Sequence, residues 1–167
     1  FLREVTGSLE GIGISVFGHM DLLLGKLYED AIKNGVLTKE DAKELIRLWL
    51  IPTDIKFNSI ENAWPETSSC ITLGGCDHEG NYVFNDVTKM IIEAHHEMHL
   101  VAPKLNLRYS KNSSEEYLDL ISSKVLAGHN NFALSCDDIV IGSLEKCGFE
   151  TKDARRYLNG GCQETMV

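Results

Sequence analysis

The sequence predicts an α/β protein built from parallel βα units. Three observations carry this. Short apolar runs of strand length at 70–73, 105–109 and 132–136 alternate with helix-length amphipathic stretches. The connections are short, as they are when a helix returns each strand in the same direction. Helix-start signatures stand at Thr38-Lys-Glu-Asp41 and Ser113-Ser-Glu-Glu116.

Glycines at 7, 11, 13 and 18 mark the first twenty residues as loop or short extended segments. A helix is predicted over about 20–34, stopping at Gly35. A second starts at Thr38, with Leu45, Ile46, Leu48 and Trp49 on its apolar side, and is expected to end at Pro52. Residues 53–69, with Trp64-Pro65 and a Thr-Ser-Ser run, read as a long surface or lid-like loop. Cys70 to Leu73 is a short buried strand. Gly74-Gly75 follows as a tight βα turn, since no phosphate-loop spacing accompanies it. A helix over 86–100, a strand over 105–109 and a helix over 114–127 come next. A strand over 132–136, a helix to Gly148 and a short helix over 151–158 complete the pattern. The three strands should lie parallel in one sheet, joined by right-handed crossovers.

The 167 residues suffice for one domain with a core. A hydrophobic share of 43% and a charged share of 25% fit a soluble globular protein. The net charge of −9 argues against a nucleic-acid or anionic-membrane partner, which needs a basic face. Five cysteines, at 70, 76, 136, 147 and 162, form no CxxC pair. Zinc knuckles and secreted disulfide frameworks are therefore not expected. Cys70, Cys136 and Cys147 read as small buried hydrophobes. Neither a leader pattern nor a long apolar run is present, which points to the cytoplasm. Phe1 is not an initiator methionine, so the start reads as interior to a longer chain or processed.

The chain closes on Gly160-Gly-Cys162-Gln-Glu164. In an extended loop, residues two apart point the same way, so the Cys162 thiol and the Glu164 carboxylate should share one surface. A sulfur beside a carboxylate suits removal of a hydrogen and then a proton from one small substrate.

Five motifs recur in an order seen elsewhere. They are Thr72-Leu-Gly-Gly75, Asn85 in Asn-Asp-Val-Thr, Pro103 with Arg108, Asp153-Ala-Arg155, and Gly161-Cys-x-Glu164. From about Asp21 to the C-terminus, the chain thereby resembles the glycyl radical enzymes. That family includes pyruvate formate-lyase, diol and hydroxyproline dehydratases, and choline trimethylamine-lyase. The resemblance implies a ten-stranded α/β barrel of two half-barrels, with the cysteine on a loop through its middle. It makes residues 1–167 a partial barrel domain. Within it, 1–69 would be a helical and loop lead-in, 70–158 the βα units, and 159–167 the cysteine loop. It also implies catalytic roles: Cys162 as the thiyl radical and Glu164 as the base. No bound cofactor and no metal are expected. The glycyl radical would sit on a glycine outside this chain, installed by a separate S-adenosylmethionine iron–sulfur activase. The implied partners are a small-molecule substrate, that radical-activating enzyme and the remainder of the parent chain, with a homodimer at full length. Without that glycine the chain alone should have no turnover.

Departures from the family accompany these matches. Gln163 stands where relatives often have an aliphatic residue. His19, in Gly18-His-Met-Asp21, stands where many relatives have arginine, so the arginine's ion pairs would be lost. Cys136 precedes Asp137-Asp138 where relatives often have asparagine. The aspartates read as complements to a helix dipole, although the family has an acidic residue near the active-site rim here. The run Glu93-Ala-His95-His96-Glu97-Met-His99 is a tempting metal motif, since His95 and His99 could meet on one helix face. Its spacing fits neither a zincin nor a complete di-iron site, and it reads as a solvated helix face. The first reading is a dehydratase of a small diol or hydroxylated amino acid. Another Cys-x-Glu lyase or decarboxylase, a non-catalytic scaffold remnant, and a zinc hydrolase on the histidine helix stay open beside it.

Overall fold

The computed structural model describes residues 16–59, 69–160 and 164–167. The elements run β1 (Val16–His19), α1 (Met20–Lys33), α2 (Lys39–Ser59), β2 (Cys70–Gly74), α3 (Asp86–Glu97) and β3 (Lys104–Tyr109). Then come α4 (Glu115–Leu126), β4 (Phe132–Cys136), α5 (Asp137–Lys146), α6 (Thr151–Ala154), β5 (Leu158–Gly160) and β6 (Glu164–Met166). The first four strands form one sheet in sequential order β1-β2-β3-β4, and every neighbouring pair is parallel. The expected sheet is present, with β1 as an added strand. β5 and β6 form a separate antiparallel pair.

The two faces of the sheet differ chemically. Ile71 and Leu73 of β2 and Leu105 and Leu107 of β3 are fully buried and join one core with Val87, Met90, Ile91 and Ala94 of α3 and Tyr117 and Ile121 of α4. The alternate positions Thr72, Asn106, Arg108 and Ser135 are also buried, but polar. Period-two alternation therefore puts a greasy face under the helices and a polar face opposite. A parallel sheet in sequential order with helices on one face is what a barrel wall needs, because its other face becomes the interior.

Local chemistry fixes the helix starts. Asn85 caps α3 reciprocally with Thr88: its side chain accepts from the Thr88 amide at 3.0 Å, and its own amide donates to Thr88 Oγ1 at 3.2 Å. Thr38 and Asp41 exchange the same pair of bonds ahead of α2. Ser114 caps α4. Each such cap contributes about 1 kcal/mol.

Several expectations are corrected. Pro52 does not end α2, which continues to Ser59. Tertiary anchors on both sides outweigh the missing N–H: Leu50 is fully buried, and the Asp54 carboxylate accepts from the Val101 and Ala102 amides at 2.8 and 2.7 Å. Residues 53–59 are thus helical rather than lid, and 60–68 lie outside the described residues. The buried stripe of α2 is Ala42, Ile46 and Leu50, spaced by four, while Leu45 and Leu48 are exposed on its flank. Trp49 turns partly inward and meets Phe17 edge-on at 5.3 Å. Cys70 is buried and Cys136 half-buried, but Cys147 caps the C-terminus of α5 and is exposed. The short helix α6 stops at Ala154, and Leu158 opens β5 instead. Among the described residues no helix is long and apolar enough to cross a membrane.

Candidate active site at the strand ends

The C-terminal ends of the parallel strands gather the charged groups, where ligands of α/β folds bind. At the end of β2 the chain turns through Gly74 and Gly75, both at positive φ, +75° and +77°. A Cβ on Gly75 would lie 2.7 Å from both Arg108 Nε and Asp137 Oδ2, and one on Gly74 would lie 2.7 Å from the Arg108 carbonyl. The glycine pair is therefore required twice over, by backbone conformation and by what sits against it.

What sits against it is a buried ion pair. Arg108 ends β3, Asp137 opens α5, and both are buried. Arg108 Nε donates to Asp137 Oδ1 and Nη2 to Oδ2, each at 2.8 Å, a bidentate fork. Tyr157 Oη donates to Asp137 Oδ1 at 2.8 Å, and the guanidinium stacks 4.1 Å over the Tyr157 ring. Burial opposes the Arg108 charge, but the Asp137 carboxylate outweighs it and raises the pKa. Burial, and then the Asp137 charge, raise the Tyr157 phenol. Asp137 is thus the counter-ion of the strand-end arginine, more than a helix-dipole complement. Asp138 is exposed and accepts from the Lys111 amide.

His19 closes this cluster from β1. Its Nε2 lies 3.3 Å from Arg108 Nη1 and 3.2 Å from the Tyr157 carbonyl. Burial first, and then the Arg108 charge, lower its pKa to about 4. The ring is neutral at physiological pH and sits beside the guanidinium without repelling it. Asp21, fully buried in the first turn of α1, holds the neighbouring turn. Its Oδ2 accepts from the Gly74 amide at 2.7 Å and Thr88 Oγ1 at 3.0 Å. Burial raises its pKa to about 6 against those hydrogen bonds. Arg155, of the Asp-Ala-Arg motif, donates to the His78 and Glu79 carbonyls and pins the loop after Cys76.

β5 lies on the polar face through Asn159, and β6 pairs with it. Gly160 pairs with Glu164 across the connection that contains Cys162. Cys162 itself lies outside the described residues, so its juxtaposition with Glu164 does too. Glu164 is exposed in β6.

The histidine run departs from expectation. His95 is fully buried, not solvated, and His99 follows the end of α3 at φ +52°, so the two do not share a helix face. His95 Nε2 lies 2.8 Å from the Pro103 carbonyl, which only accepts, so Nε2 carries the proton. Nδ1 then accepts from His129 Nε2 at 3.2 Å. His129, 34 residues away, was invisible as a partner in the sequence. Burial first, and then the charge His129 would carry, lower His95 from 6.5 to about 4. As pH falls from about 6.5 to about 4, the unfolded chain takes up a proton that native His95 refuses. Stability is therefore lost over that window, at about 1.4 kcal/mol per pH unit for this group. His19 adds to the fall, while Asp21, raised to about 6, opposes it. Urea unfolding followed from neutral pH to about pH 4 should show the loss, and His95→Gln should flatten it. An unchanged slope in that variant would refute the assignment.

The sequence reading found the glycine turn, Arg108 and the Asp-Ala-Arg motif. It missed Tyr157, Asp21 as a hub, and Asn159, whose partners lie 24 to 89 residues away.

Comparisons with known proteins give these contacts a family. Residues 8–167 match the family described as pyruvate formate lyase-like. The chain is 29% identical over 164 residues to (2S)-3-sulfopropanediol dehydratase of Klebsiella oxytoca, covering 93% of this chain and 20% of that protein. It is 26% identical over 155 residues to trans-4-hydroxy-L-proline dehydratase of Clostridioides difficile, covering 89% of this chain and 20% of that protein. The crystal structure of a glycyl radical enzyme from Archaeoglobus fulgidus matches with a TM-score of 0.80 at 26% identity, over 90% of this chain and 20% of that one. The chain spans about a fifth of the length of these relatives. Its parallel sheet is accordingly part of a glycyl-radical-enzyme barrel. A match running over nearly every residue, on a fold shared with a solved member, means that the chain belongs to the pyruvate formate lyase-like family of glycyl radical enzymes.

Proposed function

We propose that this chain supplies the radical-relay cysteine and the base of a glycyl radical dehydratase acting on a small diol or hydroxylated amino acid. The observation that carries this is the β5–β6 pair. Gly160 and Glu164 are paired in register, and Cys162 stands in sequence between them. Sulfopropanediol and hydroxyproline, named for two relatives, both carry the hydroxyl that such a reaction needs.

In the complete enzyme, a glycyl radical outside these residues would supply the unpaired electron, after installation by an S-adenosylmethionine iron–sulfur activase. On a vicinal diol such as sulfopropanediol, the Cys162 thiyl radical takes a hydrogen atom from the carbon that bears one of the two hydroxyls. An S–H bond forms and a C–H bond breaks. Glu164 takes the proton of that hydroxyl, leaving a ketyl radical anion. The adjacent C–O bond breaks, its hydroxyl leaves as water with the proton that Glu164 took up, and the product radical takes the hydrogen atom back from Cys162. The protein orients the substrate and excludes water and oxygen. The remaining partners are the rest of the parent chain and a second copy in a homodimer, in the cytoplasm.

Glu164→Gln keeps the shape and loses the base. Turnover of the complete enzyme should fall about 10²–10⁴-fold, while Gln163→Val, which removes neither the thiol nor the carboxylate, should change it little. Steady-state rates normalised to radical content measure both. A near-wild-type rate for Glu164→Gln would exclude the Cys-x-Glu lyase reading.

A further inference from the structure

The polar face of the sheet carries a group of side chains that the chemistry above does not use. Asn159 lies in β5 and is buried. Its carbonyl accepts from Asn106 Nδ2 of β3 at 2.9 Å and from the Cys70 thiol of β2 at 2.9 Å. Its side-chain Nδ2 donates to Ser135 Oγ of β4 at 2.7 Å. Three adjacent strands thus hold one residue, by its backbone and by its side chain.

The polar atoms on this face are not all paired with one another. Thr72 Oγ1, Asn106 Oδ1 and Asn159 Oδ1 are buried and find no hydrogen-bond partner among the described residues. Unpaired buried polar atoms cost stability, and apolar groups of the same shape would often do as well or better. The sequence suggests what the cluster serves. Gly160 and Gly161 are the only residues between Asn159 and Cys162. Glycines carry no side chain to fix themselves, so Asn159 is the last side-chain anchor before the sulfur. Hydrogen transfer needs reacting atoms about 3–3.5 Å apart, and a displacement of about 1 Å can cost on the order of 10²-fold in rate.

We propose that Asn106 and Ser135, acting through Asn159, are positioning residues that fix the end of β5, from which the chain runs on to Cys162. This rests on the reading of Cys162 as the radical carrier. Asn106→Leu keeps the size and removes the donor to the Asn159 carbonyl. Ser135→Ala removes the acceptor, and Ser135→Thr retains it.

The test uses the complete, activated enzyme. Glycyl radical content by electron paramagnetic resonance, kcat, KM and melting temperature are measured for each variant, with Cys162→Ser as control. The expected result for Asn106→Leu is a kcat lowered about 10–100-fold, with KM, radical content and melting temperature close to wild type. Ser135→Ala should lose kcat and Ser135→Thr should recover it. Wild-type kcat in both Asn106→Leu and Ser135→Ala, with Cys162→Ser inactive, would overturn the positioning role alone. A kcat loss that only tracks a fall in melting temperature would overturn it too. Turnover by Cys162→Ser would instead overturn the reading of the cysteine on which it rests.

Discussion

Cys162→Ser should abolish turnover of the complete enzyme while leaving its glycyl radical signal intact. The substitution changes one heavy atom, sulfur to oxygen. What it changes is bond strength. A thiol hydrogen can pass to a glycyl radical and return, because the S–H bond is weak enough to exchange with C–H bonds. The serine O–H bond is too strong for that relay, so the unpaired electron stays on the glycine. The two readouts separate chemistry from folding. A misfolded variant would lose the radical signal as well as the rate, whereas an intact one loses only the rate. Recording the radical spectrum beside the rate decides the matter, and measurable turnover by the serine variant would remove Cys162 from the mechanism.

The second large effect concerns stability. Asp137→Ala should destabilise the protein by about 3–5 kcal/mol, the cost of stranding one partner of a buried ion pair. It removes both acceptors of the Arg108 fork and the acceptor of Tyr157 Oη at once. Arg108 is 0% exposed, so water cannot replace them without opening the strand ends. Asp138→Ala, at the exposed neighbour, should cost less than about 1 kcal/mol. Replacing Arg108 and Asp137 together with leucine should recover part of the loss, since no charge is left stranded, although Tyr157 Oη still loses its acceptor. Urea unfolding of the four proteins reads all of this. A loss below about 1 kcal/mol for Asp137→Ala would mean that His19 and the Tyr157 carbonyl suffice to hold the guanidinium.

Those two predictions also mark where sequence reasoning succeeds and where it stops. The strands at 70–73, 105–109 and 132–136 were legible because apolar alternation is local, and the starts of α2 and α4 because their caps lie within three residues. Gly74-Gly75 was legible as a turn, but the reason for two glycines was not. That reason is the Arg108–Asp137 pair, formed across 29 residues. Pro52 misled for a similar cause: a proline stops a helix locally, but Asp54 is held by amides 47 and 48 residues on. His95 looked solvated because its burying partners, Pro103 and His129, belong to other segments. The pairing of Cys162 with Glu164 rests on the order of motifs alone, because Cys162 lies outside the described residues.

The sequential order of the sheet has a further consequence. With β1 and β4 at its two ends, each presents one row of backbone N–H and C=O groups that meets no other strand among the described residues. On β4, Leu134 is 54% exposed beside that row. An open, partly apolar strand margin is a template for any extended chain that drifts against it, including another copy. Closing the ring of strands abolishes both margins at once. In a closed barrel, circularity would remove the template for such self-pairing.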